Sequence, residues 1–283
     1  MADRVSPPSV PGVSGVPGAF NPAIDRRIPA FHWAGFLALL NRELLRVRKL
    51  LAMVVIGPAV MAVIYFLCFA FGLGDQRGTP AGDAVLTFLV PGLIMLSVLL
   101  KAAENPTFSL LYIKIEGVVT DQLMSPLSAR ETIPAYAIAG TVSGLAAGIG
   151  IWLCTLLLWP LAVAHPLVAL LFAALGAMVM ALAGLLVAIA SQKWDHMAAA
   201  FTFLFMPISF LSGVFAPIDG MHPALKAVVL ANPVYYAIDG FRYGMLGTSQ
   251  TGPWTSLAIL LLAVTALYTL TAWLYRTGWR MKG

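Results

Sequence analysis

The sequence predicts an all-α integral membrane protein: six transmembrane helices, an N-terminal amphipathic interfacial helix, and an external re-entrant helical hairpin between spans five and six. Three observations carry this expectation. The 283 residues are 60% hydrophobic and only 10% charged, with a mean hydropathy of +0.89, far outside the range of a soluble domain. Six apolar runs, at about 50–73, 84–103, 133–159, 166–190, 197–216 and 253–275, are each long enough to cross hydrocarbon. Between the last two lies a stretch, 210–247, that is too polar and too broken by proline to cross at all.

Residues 1–29 carry six prolines and several glycines with almost nothing to build a core, and are expected to form a disordered cytoplasmic tail ahead of a membrane domain at 30–283. There is no N-terminal signal peptide pattern. From 31 to 49 the periodicity becomes helical. Trp33, Phe36, Leu37, Leu40 and Leu44 share one face, and Arg42, Arg46 and Lys49 another. An interfacial helix against anionic headgroups fits this pattern, as does a plain cytoplasmic extension of the first span.

Orientation follows from the basic residues. With the N-terminus inside, fourteen of the seventeen lysines and arginines lie in or beside the cytoplasm, and only Arg77, Lys226 and Arg242 lie outside. Six spans then place both termini in the cytoplasm. Charge sorted by side in this way does not suggest nucleic acid. Span two is expected to end near Lys101 and Glu104, which can pair at the interface and snorkel.

The segment 110–131 is the one substantial cytoplasmic loop. Placed on a helix from Tyr112, it puts Tyr112, Ile115, Val119 and Leu123 on one face and Lys114, Gly117 and Asp121 on the other. By pattern it is either an interfacial turn or a docking helix for a cytosolic partner. Pro126 ends it, and Ser128 with Glu131 forms a capping-box pattern that starts span three.

Gly140, Gly144 and Gly148 in span three, and Ala173, Ala177 and Ala181 in span four, have the spacing of close helix packing. Lys193, Asp195 and His196 read as a solvated turn. In the hairpin, prolines set two short helices, roughly 223–231 and 234–246, and Asp239 can pair with Arg242 three residues on, beside Tyr235, Tyr236 and Tyr243. Either an aromatic belt with a structural ion pair or an outer lid over a path fits.

Cys68 and Cys154 sit in apolar runs and read as small core hydrophobes. No phosphate-binding loop, zinc-protease or nucleophile-elbow motif occurs, and the four histidines are scattered. The spans carry no acidic residue at their midpoints of the kind an ion-coupled carrier uses. No metal, cofactor or catalytic residue is expected in this chain.

Three stretches resemble the membrane subunit of ABC-2 type transporters: FLSGVFAPIDGMHP at 210–223, NPVYYAIDGFRYGMLG at 232–247 and IEGVVTDQLMSPLS at 115–128. The resemblance covers the chain from about residue 31 onward. It implies a bacterial inner-membrane exporter subunit that works as a dimer with two copies of a separate ABC ATP-binding subunit, which would bind the ATP and magnesium. It also implies that the 31–49 helix and the 110–131 loop touch that subunit. Glu116, Asp121 and Ser125 match the family's cytosolic stretch and, with Lys114, form the expected docking surface. Gly213, Pro217, Asn232 and Pro233, with Asp239 and Arg242, form the expected external hairpin and gate. An amphipathic substrate, whether glycan, lipid-linked saccharide or drug, is implied; the alternative is an ATP-independent secondary carrier or channel.

Overall fold

The computed structural model describes residues 31–73, 78–117 and 127–280, and among them every regular element is helical. The proline-rich tail lies outside the described residues.

Helix α1 spans Trp33–Lys49 and opens on His32, whose Nδ1 accepts from the Gly35 amide at 2.9 Å. It gives way at Leu50 to α2, Leu51–Gly72. Helix α3, Pro80–Ile115, is 36 residues long. At a rise of ~1.5 Å per residue it measures about 54 Å, nearly twice the hydrocarbon thickness. One expectation is corrected here: Tyr112 does not begin a new helix, because the helix of span two runs on past Lys101 and Glu104 to Ile115. An ion pair three residues apart neutralises itself on one helix face, so the charges that read as a boundary do not interrupt the backbone.

After residues 118–126, which lie outside the described residues, α4 covers Ala129–Leu158 and α5 covers Pro166–Ala190. The capping box at the start of α4 forms as expected: the Ser128 hydroxyl accepts from the backbone of the first turn, and the Glu131 carboxylate accepts from the Ser128 amide. The far carboxylate oxygen of Glu131 also accepts from the His32 amide at 2.7 Å, so the cap of α4 holds the start of α1.

The fifth apolar run is a broken helix: α6, Trp194–Ala200, a π-helical turn Phe201–Phe205, and α7, Met206–Phe210. Pro207 brings no N–H to the Phe203 carbonyl, and the wide turn absorbs that defect. Trp194 packs on Phe108 near one end of α3 at 5.1 Å, while Val214, just past α7, lies against Gly92 toward the other. The run therefore passes along α3 from Phe108 to Gly92. A 3-10 turn at Ile218–Gly220 leads to α8, Pro223–Ala231, and α9, Pro233–Leu246, matching the two short helices expected of the hairpin. Helix α10, Pro253–Thr277, ends the described fold. Among the described residues, five helices (α2, α3, α4, α5 and α10) are long and apolar enough to cross a membrane.

Helix α3 is the centre, with α4 and α5 packed along it and α2 and α9 on its flanks. The small-residue seams make that possible. A Cβ on Gly140 would lie 2.7 Å from the Ala102 carbonyl oxygen, and one on Gly144 would lie 2.5 Å from that of Val98. Pro106 leaves the Ala102 carbonyl without its i+4 donor, and only a glycine lets the α4 backbone approach it so closely. Ala173, Ala177 and Ala181 are buried on the matching face of α5. Two apolar clusters result, one around Leu89, Leu93, Phe172, Tyr235 and Phe241, the other around Phe36, Leu110, Ile133, Tyr136, Leu185 and Tyr275. Cys154 is half-buried, but Cys68 is exposed on the outer side of α2, so it is not the core residue that its apolar run suggested.

Candidate functional site: a lateral groove with two polar ends

Between α2, α3 and the broken helix lies an open-sided cavity of about 450 Å³. Met53, Pro58 and Met61 of α2 face Leu93, Leu96 and Leu100 of α3, and Phe201, Met206 and Phe210 close the far side. Nearly all of the lining is apolar. The exceptions are Ser97, whose hydroxyl is turned back to the Leu93 carbonyl, and the pair Lys101 and Glu104. Lys101 lies about 31 Å along α3 from Pro80, one hydrocarbon thickness from the hairpin end. The pair also lines a second cavity of about 290 Å³, shared with Arg46, Asn105 and Phe108.

The α1 end is organised by Glu43, only 2% exposed. Its carboxylate accepts from Arg42 Nη2 at 2.9 Å and from the Ser109 hydroxyl at 2.7 Å, and lies 3.4 Å from Arg46 Nη2. Arg46 also reaches the Asn105 carbonyl at 3.0 Å, and Arg42 reaches the Tyr136 hydroxyl at 3.0 Å. Burial opposes the Arg42 charge, but Tyr136 and Glu43 outweigh it and hold its pKa above the ordinary arginine value. The expected faces of α1 are therefore rearranged. Phe36, Leu39, Glu43 and Val47 point inward, while Trp33 and Leu37 are exposed; Arg46 turns toward the bundle, and Arg42, though still exposed, reaches across to Tyr136. A buried carboxylate needs charged partners, and that requirement overrides simple amphipathicity.

Of the expected docking residues, Glu116 is exposed just past the end of α3, where Gly117 takes φ +74°. Lys114 bends back to donate to the Ala188 and Ile189 carbonyls at 3.0 and 2.8 Å, and to that of Ser191. It closes the C-terminal end of α5, where a cation meets the negative end of the helix dipole. Asp121 and Ser125 lie outside the described residues. Lys193, Asp195 and His196 are exposed at the start of α6, as a solvated turn would be.

At the opposite end, Asn232 caps α9 through the Val234 amide at 3.0 Å, while its Nδ2 donates at 2.8 Å to both the Ile208 carbonyl and the Ser212 hydroxyl. One side chain thus ties the hairpin to the broken helix. Gly213 takes φ +70°, with a Cβ there meeting the Tyr235 ring at 3.3 Å. Pro217 is extended and precedes the 3-10 turn, and Pro233 is the first residue of α9.

Asp239 and Arg242 do not pair with each other. The fully buried Asp239 carboxylate accepts from the Gln250 and Thr251 amides at 2.9 and 3.0 Å and from the Thr251 hydroxyl at 2.7 Å. Arg242 donates to the Gly213 carbonyl at 3.0 Å and stacks on the Phe88 ring with its guanidinium carbon 3.6 Å from the centroid. The i, i+3 spacing allowed a pair, but backbone donors after α9 and an aromatic face on α3 compete better once the hairpin is folded.

Lys101 and Glu104 pair as their spacing allowed, though the sequence pattern gave them no site role, and Glu43 is the site residue that it passed over. The signal for Glu43 was present as one acid embedded among four basic residues. Among the described residues no three His, Cys, Asp or Glu side chains converge as metal ligands. His32 and His222 instead cap α1 and α8, and His165 stacks on Tyr243.

Residues 34–246, from the second residue of α1 to the last of α9, match the ABC-2 type transporter family. The chain belongs to that family. The inner membrane transport permease YadH of Escherichia coli (strain K12) is 28% identical to this permease over 247 residues, covering 87% of this chain and 96% of that one. Nodulation protein J of Rhizobium leguminosarum bv. viciae is 28% identical over 225 residues, covering 75% and 82%. Nodulation protein J of Rhizobium meliloti (strain 1021) is 26% identical over 235 residues, covering 78% and 84%. The permease is a multi-pass membrane protein, as its apolar helices require.

Proposed function

We propose that this permease is the membrane-spanning subunit of an ATP-driven exporter of the bacterial inner membrane. Two copies form the translocation path, and two copies of a separate ATP-binding subunit drive it, supplying the bound ATP and magnesium. The open-sided groove of α2, α3 and the broken helix is the observation that carries this role. It is a half-channel, apolar along its length, with Met53, Met61 and neighbouring α2 side chains exposed on its free edge. A second copy facing it closes the path. The broken run 194–210 then crosses as the fifth of six spans, and α8 and α9 form a re-entrant hairpin at the outer mouth, with both termini in the cytoplasm.

The α1 end is the docking side. Glu116 is exposed there at the end of α3, ahead of residues 118–126, which include Asp121 and Ser125, and Lys114 ties this end of α3 to α5. A ligand shifts a conformational equilibrium only through differential affinity for its states, so the loop must meet the ATPase differently before and after nucleotide binding. Transported molecules are amphipathic, to match an apolar groove with a charged end.

A tagged permease is purified from its native membrane, the soluble protein that accompanies it is identified, and the complex is assayed for ATP hydrolysis. Recovery of a phosphate-loop ATPase at equal stoichiometry, with its turnover changed by Asp121→Lys, is the expected result. An ATP-independent carrier is the second reading, favoured by the ion pair Lys101–Glu104 at the cytoplasmic end of the groove, since ionisable groups lining a path between membrane helices often mark ion pathways. Recovery of the permease alone, with solute movement in liposomes lacking ATP, would select it.

A further inference from the structure

We infer that Lys101 and Glu104 form an exchangeable counter-ion pair which selects amphiphiles carrying an anionic headgroup, with Arg46 as the second cation of the headgroup site. The inference rests on the groove being the transport path, and deepens that role by naming the substrate's charge.

The two cavities meet at this pair. One side is the apolar slot between α2 and α3; the other is a recess beside α1 whose walls are Leu50, Met53, Val54 and Phe108, with the charged groups of Arg46, Lys101 and Glu104 set among them. A molecule filling both has an apolar chain and a polar head, and its head lies at Lys101. Three ionised groups line the recess: Arg46, Lys101 and Glu104, with side chains 27%, 23% and 45% exposed. Glu43 lies behind them, paired with both Arg42 and Arg46 and accepting from Ser109. Counted with that pairing, the cations Arg42, Arg46 and Lys101 exceed the carboxylates Glu43 and Glu104 by one, so the cluster around the recess is net positive. Asn105 adds a polar side chain, whose Oδ1 lies 3.4 Å from Arg46 Nη2.

The Lys101–Glu104 contact is half open to its surroundings, and ion pairs of that kind are weak and exchange readily. A phosphate or carboxylate head arriving from the leaflet takes Lys101 from Glu104. The carboxylate, more exposed than its partner, turns away. Glu104 then opposes retention of the bound anion, so the same pair that admits the head also limits how tightly it is held. A cationic head finds the Glu104 carboxylate flanked by the charges of Lys101 and Arg46 and is disfavoured by the excess of positive charge. The chemistry committed to is an amphiphile with an apolar chain and an anionic head, held by both ends.

The test uses the purified full-length chain in phosphatidylcholine nanodiscs, without any ATPase. Equilibrium binding of hexadecyl phosphate is compared with that of hexadecylphosphocholine, hexadecyltrimethylammonium and inorganic phosphate. Hexadecyl phosphate is expected to bind in preference to the other three. Lys101→Gln weakens it by about ten-fold, the worth of one charge-assisted contact. Lys101→Arg retains binding, and Glu104→Gln tightens it by releasing Lys101. Both positions are partly exposed and both neutralised variants leave the Glu43 network untouched, so monodisperse gel filtration is expected throughout. Equal binding by wild type and Lys101→Gln overturns the inference, as does preference for the ammonium amphiphile. Inorganic phosphate binding as tightly as hexadecyl phosphate overturns it too, because the chain would then contribute nothing. ATP coupling plays no part in these outcomes, so the exporter role and the headgroup site fail separately.

Discussion

Replacing Asp239 with asparagine removes the carboxylate that fastens α9 to the start of α10. Three donors converge on it: Oδ1 takes the Gln250 amide, and Oδ2 takes the Thr251 amide and hydroxyl. Asparagine keeps one oxygen. If that oxygen stays with Thr251, the new NH2 group faces the Gln250 N–H, and that donor loses its partner inside a fully buried site. Hydrogen bonds to charged groups contribute about 1.5–3 kcal/mol each, and the two that survive become neutral and weaker. Asp239→Asn therefore costs about 2–4 kcal/mol. The effect spreads, because Gln250 also gathers the Ile218 amide at 3.3 Å and the Tyr235 hydroxyl at 3.4 Å through its Oε1. Unfolding by sodium dodecyl sulfate in mixed micelles, followed by circular dichroism, measures the cost. Asp219→Asn is the internal control: that carboxylate is exposed and makes only long contacts, to Lys226 at 3.7 Å and to Gln250 Nε2 at 3.5 Å, the second of which an asparagine oxygen can still accept, so its loss changes stability by less than about 0.5 kcal/mol. If Asp239→Asn matched this control, the carboxylate could not be what holds the loop.

Three further outcomes are expected. Glu43→Ala strips Arg42, Arg46 and Ser109 of a shared partner and leaves cations packed at the α1–α3 junction, a loss of about 3–5 kcal/mol by the same denaturation assay. Gly144→Val drives a branched side chain into the Val98 carbonyl and the Ala102 methyl. It costs about 1–3 kcal/mol or more and lowers the yield of monodisperse protein, whereas Gly72→Ala, with open space around it, leaves both unchanged. Ser128→Ala removes the α4 cap at a cost of about 1 kcal/mol, and hydrogen exchange should quicken in the first turns of α4 and α1 together, because Glu131 also holds His32.

What the sequence determined by itself is what neighbouring residues settle among themselves. Unbroken apolar length identified α2, α3, α4, α5 and α10 as membrane helices. Proline positions divided the hairpin into α8 and α9, and Ser128 with Glu131 marked the start of α4. The glycines of α4 were legible as a seam because a missing Cβ has the same consequence wherever a second helix approaches. Even the errors were local. A hydropathy window stops at Lys101, where the apolar run ends, and does not show that the same helix continues to Ile115.

Only the tertiary structure decided which distant groups meet. Arg46 finds Ser109, Lys114 finds the end of α5, and Asp239 takes backbone donors beyond Gly247 in preference to Arg242 on its own helix. Such choices are competitions among donors and acceptors of similar strength, and buried polar groups settle on whichever partners the packing brings within about 3 Å. The groove has the same origin. Residues of α2, α3 and the broken helix line it together although more than a hundred positions separate Met53 from Phe210, and no periodicity along the chain records that they share a wall.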